Sequence, residues 1–110
     1  MVTDYCEIEP LRADIDAVEG PLLLEFGAPW CTHCQAAQPL IATALAHHSP
    51  IRRIKVEDGK GRPLGRSFRV KLWPTLIFMR HGKEIDRLVR PADSGAIEQA
   101  LAKIDSASHP

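Results

Sequence analysis

The sequence predicts an α/β sandwich of three layers, a sheet between helices. Two observations carry that expectation. The apolar run PLLLEFGA and the strand-like IRRIKVE alternate with stretches whose apolar residues recur at helical spacing. A further apolar run, PTLIFM, precedes a turn, a charged strand and one more helical stretch, so a hairpin and a closing helix complete the order.

A short first strand is expected near Tyr5 to Ile8. Leu11, Ile15 and Val18 then recur at helical spacing, and Gly20-Pro21 ends that element. PLLLEFGA is continuously apolar, the pattern of a strand covered on both faces. From Cys31 to about His47 an alanine-rich stretch favours helix, with Leu40, Ile41, Ala44 and Leu45 facing inward. Pro39 kinks that helix rather than ending it. IRRIKVE reads as a second buried strand, and the Gly-rich DGKGRP leads into a short helix around Leu64 to Phe68. PTLIFM is another apolar strand, RHGK a turn, and EIDRLVR a strand whose charges suit a sheet edge. Asp93 or Ser94 caps a last helix in which Ile97, Leu101 and Ile104 face inward.

At 110 residues the chain is long enough for one domain, spanning 1–110, and too short for two. Apolar content of 45% and charged content of 25% are ordinary globular values, so neither disorder nor a fibrous repeat is expected. Three cysteines are too few for a disulfide-stapled miniprotein, and no apolar run approaches the length of a membrane span. The acidic start MVTDYCEIEP has no signal-peptide character, so a cytoplasmic, reducing location is expected unless a leader was removed. Zero net charge argues against nucleic acid as the main partner. Bases nevertheless gather between Arg52 and Lys71, either as a solvated face or as a docking patch for an acidic partner.

The stretch FGAPWCTHCQAAQP carries the chemistry. Cys31 in the first turn of a helix lies near unpaired backbone N–H groups and the positive end of the helix dipole, which favour thiolate over thiol. Cys34 sits on the same helical face one turn on, close enough to form a disulfide and more buried than its partner. One sulfur is therefore the attacker and the other the resolver.

A strand, WCTHC, a kinking proline and an X-Pro-Thr before a later strand together resemble the thioredoxin family, over nearly the whole chain. WCxxC matches the redox site, Glu25 the family's buried acid, Pro39 its helix kink, WPT at 73–75 its cis-proline loop, and HGKE its hairpin. A lone CxxC is weak; these matches in order are specific. The resemblance implies the thioredoxin fold, a central mixed β-sheet flanked by helices on both faces. It also implies a protein disulfide oxidoreductase without a cofactor, acting on disulfide-containing proteins. A thiol system such as thioredoxin reductase or glutathione would return the electrons, and neither nucleic acid nor membrane is an expected partner. Other readings of the cysteines fit poorly. Structural zinc normally needs four ligands and no second pair lies downstream, while covalent haem needs histidine where Gln35 stands. A buried, inert pair is the remaining alternative.

In this reading Cys31 attacks a partner disulfide and Cys34 resolves the mixed disulfide. A buried Cys34 needs a base, and Glu25 is the candidate, with a strand-end glutamate reaching solvent as the alternative. Thioredoxins usually carry aspartate there. Thr32 and His33 replace the family's usual Gly and Pro. Disulfide isomerases place histidine before the second cysteine, where its charge stabilises the attacking thiolate; a surface histidine without redox effect is the alternative.

Each unit of lowered Cys31 pKa is worth roughly 30 mV, against about 150 mV between thioredoxin itself and the strong periplasmic oxidant, values belonging to those proteins and not obtained from this chain. One histidine cannot span that gap, so an intermediate potential, less reducing than thioredoxin, is expected. Trp30, beside Pro29, sits at the rim, and Lys55 either pairs with the buried acid or reaches solvent. Trp73, Pro74 and Thr75 form the substrate-facing wall, offering main-chain groups to an extended segment. Arg90 stands where the family keeps glycine and alters the docking surface. Cys6 is either a small packed residue or a regulatory thiol. A different class of function, an interaction or chaperone-assisting module whose cysteines are secondary, is the alternative to exchange.

Overall fold

A computed structural model describes residues 5–48 and 50–105. In chain order the elements are α1 (Arg12–Asp16), β1 (Pro21–Gly27), α2 (Thr32–Leu45), β2 (Arg52–Glu57), α3 (Pro63–Ser67), β3 (Thr75–Arg80), β4 (Lys83–Val89) and α4 (Ser94–Ile104). The strands form one mixed sheet in the order β2-β1-β3-β4. β1 and β2 run parallel, joined by the α2 crossover, while β3 is antiparallel to both β1 and β4. This is the thioredoxin fold expected from the sequence.

The alternation along β1 sorts the core into two layers. Leu23 faces α2 and α4, joining Ile41, Ala44, Leu76, Phe78, Ile97 and Leu101. Leu22, Leu24 and Phe26 face the other way, onto Ile15, Leu64 and Phe68 with Ile77 and Met79 of β3. Arg12 ties α1 to α3, its guanidinium 3.8 Å from the centre of the Phe68 ring and donating to the Ser67 carbonyl at 2.8 Å. The α2 helix runs through Pro39. Asp93 caps α4, accepting from the Ala96 N–H at 2.8 Å.

Three local expectations are corrected. Of the first strand only Tyr5 pairs, as a lone bridge to Lys55 with Cys6 N–H donating to the Lys55 carbonyl at 2.9 Å. Beyond it the chain leaves the sheet, because the Glu9 carboxylate accepts the Leu64 N–H at 2.6 Å and draws the backbone toward α3, leaving Ile8 exposed. Leu11 precedes α1 and is exposed too, so Ile15 is that helix's buried anchor. β2 is an edge strand rather than an interior one: Lys55 and Val56 are buried, while Arg52 points into solvent. Its neighbour beyond the edge, among the described residues, is the Tyr5 bridge.

Candidate active site

β1 ends at Gly27 and a tight loop leads into α2, so the end of the central strand delivers Cys31 to the start of the helix. Cys31 is the N-cap: its backbone is extended, its N–H reaches the Ala28 carbonyl at 3.2 Å, and its sulfur accepts the Cys34 N–H at 3.2 Å. One of the helix's unpaired donors is thereby aimed at the sulfur. Cys31 is 8% exposed and Cys34 2%, and neither forms a disulfide in this structure. Burial pushes the Cys34 thiol up to about 12. A hydrogen bond to Cys31 and the charges of Cys31 and Glu25 act the same way, against a backbone hydrogen bond from Ala28. Gly27 makes room for this sulfur, since a Cβ there would lie 2.5 Å from Cys34 Sγ and 3.1 Å from the Tyr5 hydroxyl oxygen.

Below the cysteines lies a buried polar cluster. Glu25 is fully buried on the α2 side of β1. Arg53 donates to its Oε1 through Nε at 3.1 Å and Nη2 at 2.7 Å, and Gln38 Nε2 donates to Oε2 at 2.8 Å. Gln38 links the cluster to the redox turn: its Nε2 also donates to the Cys34 carbonyl at 2.9 Å, while its Oε1 accepts from Arg53 at 2.7 Å and from Lys55 Nζ at 3.0 Å. A buried carboxylate requires such compensation. Lys55, expected either to pair with the buried acid or to reach solvent, stands directly across from Glu25 in register; its ammonium bonds to Gln38 and lies 4.5 Å from the centre of the Tyr5 ring, and Arg53 forms an ion pair with Glu25.

The other wall is the loop before β3. Its Trp73–Pro74 peptide is cis. Trp73 packs against Ala28, Cys31 and Cys34, meets Trp30 edge-on at 5.4 Å, and donates its indole N–H to Asp58 at 2.8 Å. Trp30 is 68% exposed, and Gln35 braces its loop by donating to the Pro29 carbonyl at 2.9 Å. Thr75, expected to face substrate, is instead buried, its hydroxyl donating to the Leu72 carbonyl at 2.6 Å; it braces the loop from behind. Arg90 adopts a φ of 51°, in the left-handed region that glycine favours. Its N–H reaches the Pro74 carbonyl at 3.0 Å and its Nε the Trp73 carbonyl at 2.8 Å. Thr32 and His33 are exposed on the first turn of α2, and Cys6 is half-buried beside β2.

Sequence reasoning missed Tyr5, Gly27, Gln38, Arg53 and Asp58. Two left a signal: Gln38 follows Cys34 by four residues, hence shares its helix face, and Arg53 precedes Lys55 by two, hence shares its sheet face.

A solvent-edge thiol above a buried one, at a helix start facing a cis-proline loop on an α/β sheet, is an arrangement that can support dithiol–disulfide exchange. A thioredoxin family model matches residues 6–103, and the chain belongs to the thioredoxin family of thiol–disulfide oxidoreductases. The structure of thioredoxin 2 from Pseudomonas aeruginosa PAO1 in its reduced form is 48% identical and superposes with a TM-score of 0.85, covering 97% of this chain and 99% of that one. A TPR repeat-containing thioredoxin of Arabidopsis thaliana is 36% identical over 85 residues, 77% of this chain but 22% of that protein. A protein disulfide-isomerase of Hordeum vulgare is 35% identical over 89 residues, 74% of this chain and 17% of that protein. The chain therefore spans about a fifth of the length of these two curated relatives.

Proposed function

We propose that this chain exchanges its Cys31/Cys34 dithiol with disulfides of protein substrates. Cys31 thiolate attacks one sulfur of the partner disulfide, forming a mixed disulfide and releasing the partner's other sulfur as a thiolate, which takes up a proton. Cys34, having lost its proton to Glu25, then attacks Cys31 Sγ. The Cys31–Cys34 bond forms, the bond to the partner breaks, and two electrons have passed to the partner. A thiol donor, a reductase or glutathione, reverses the last step on this chain. The observation that carries the reading is the unequal pair: one sulfur at the surface edge accepting a helix N–H, the other buried with its thiol held protonated.

Substrate contact falls to Trp73 and Pro74, with Trp30 as an exposed apolar lip. His33 and Thr32, where the family commonly keeps Pro and Gly, support a couple less reducing than thioredoxin; equilibration with glutathione measures it, and a potential at or below thioredoxin's overturns this point. A reducing compartment such as the cytoplasm suits a working dithiol. The trap is Cys34→Ser: incubated with a disulfide-containing protein such as insulin, it accumulates a covalent adduct at Cys31 that dithiothreitol releases. No adduct with an accessible Cys31, together with unchanged partner binding by the double serine variant, sinks exchange in favour of a binding-only role.

A further inference from the structure

Tyr5 lies outside every motif read from the sequence, yet the fold brings its hydroxyl to the resolving sulfur. The lone bridge to Lys55 and the Cys6 N–H bond at 2.9 Å fasten the Tyr5 backbone to the free edge of β2. Its ring lies under the Lys55 ammonium, 4.5 Å from Nζ, which fixes the ring's direction. At the end of β1 the position of a Gly27 Cβ is 2.5 Å from Cys34 Sγ and 3.1 Å from the Tyr5 oxygen, so sulfur and phenol lean over the same glycine.

We propose that the Tyr5 hydroxyl donates a hydrogen bond to Cys34 in its thiolate form and so sets how readily Cys34 resolves the mixed disulfide. The proposal rests on the reading that Cys34 is the resolving sulfur. A phenol fits the task because burial, and then the neighbouring charges of Cys34 and Glu25, hold it protonated well above its ordinary range, so it remains a donor wherever the protein works. The charged or titratable groups around this sulfur are Cys31 at the helix start, Glu25 on β1, Arg53 and Lys55 on β2, and Asp58 behind Trp73; Tyr5 is the one that adds a neutral donor. Its O–H keeps its proton throughout. The proton leaving Cys34 passes to Glu25, and the sulfur's electron pair forms the new bond to Cys31 as the bond from Cys31 to the partner sulfur breaks.

The test uses Ellman's disulfide in a single turnover of the full chain. Attack by Cys31 releases one thionitrobenzoate, and resolution by Cys34 releases the second in a separate phase. Tyr5→Phe keeps the ring under Lys55 and removes only the donor. A hydrogen bond to a charged sulfur corresponds to about tenfold less thiolate when lost, partly offset by about threefold greater intrinsic nucleophilicity. The second phase of Tyr5→Phe should therefore be about threefold slower near neutral pH, with its pH profile displaced upward and the first phase unchanged.

Because Tyr5 is the chain's one tyrosine, growth on 3-fluorotyrosine modifies this site alone, and the stronger donor should displace the profile downward. Superimposable second phases and profiles in all three proteins overturn the inference. A wild type lacking the second phase overturns the exchange reading instead. In that event the Cys34 titration by 13Cβ NMR in Cys31→Ser, with and without Tyr5→Phe, decides the hydrogen bond: an upward displacement supports it and equal midpoints refute it.

Discussion

Gly27→Ala probes the tightest approach in the site. The added Cβ would fall 2.5 Å from Cys34 Sγ, more than 1 Å inside an ordinary carbon–sulfur contact, so the sulfur or the strand end must move. Overpacking of this kind costs typically about 1–3 kcal/mol, from which about 0.5–1 kcal/mol is recovered because alanine loses less chain entropy than glycine on folding. The net expectation is a loss of about 1–2 kcal/mol. At roughly 2.1 cal/mol/K per residue, the unfolding entropy of a chain this size is about 230 cal/mol/K, so Tm should fall by about 4–9 °C.

The attribution to the sulfur is tested by repeating the substitution in Cys34→Ala, where Sγ is gone and the next contacts, the Tyr5 oxygen at 3.1 Å and the Cys34 Cβ at 3.6 Å, remain. There Gly27→Ala should be close to neutral, giving a coupling of about 1–2 kcal/mol from urea melts of the four proteins. A coupling under about 0.5 kcal/mol would mean that Gly27 is not reserved for the sulfur.

Two further outcomes follow from the same region. Arg53→Met strands a fully buried Glu25; because the Arg53 side chain is 25% exposed and Gln38 stays, the loss should be about 2 kcal/mol rather than the larger figure for a wholly buried pair. Glu25→Leu added to it should recover much of that loss, and equal stability of Arg53→Met and wild type in urea would refute the pairing. Since folding raises the Cys34 thiol from an ordinary 9.0 to about 12, the native state holds that proton more tightly. The resulting stabilisation is complete below pH 9 and is lost as pH rises from 9 toward 12, by up to about 4 kcal/mol. Cys34→Ala should show a flatter alkaline decline in thermal melts, and parallel curves would contradict the shift.

The legible part of the structure is the part written in contiguous residues. Continuous apolar runs marked β1 and β3, the charged EIDRLVR marked β4 as an edge, and WCTHC placed one cysteine a turn behind the other. What escaped depends on which strands lie side by side. The β-branched Ile51, Ile54 and Val56 mark IRRIKVE as a strand, but whether Arg53 meets solvent or Glu25 is decided by parallel register with β1, and no local pattern encodes that. Lys55, directly opposite Glu25, is an expected partner, but the planar, forked guanidinium two residues back also reaches Oε1, with two donors. Tyr5 belongs to a stretch that pairs with β2 at a single point, and the approach of its hydroxyl to Gly27, beside Cys34, is created by tertiary packing alone.

The buried cluster also bears on how Cys34 loses its proton. Both Glu25 oxygens are already hydrogen-bonded, Oε1 to Arg53 and Oε2 to Gln38, so accepting a proton requires one of those bonds to open. If Glu25 is the base, Glu25→Gln removes the acceptor and should slow the second Ellman phase by about 100-fold or more, the lower range for a general base, while weakening its pH dependence. Arg53→Met, which frees Oε1 and keeps the carboxylate, should leave that phase as fast as wild type or faster. If Glu25 instead only anchors Gln38 beneath the redox turn, the two variants disturb the same anchor from opposite sides and should slow resolution alike, with the pH dependence intact. Equal slowing would therefore remove Glu25 from the chemistry and leave it a structural role.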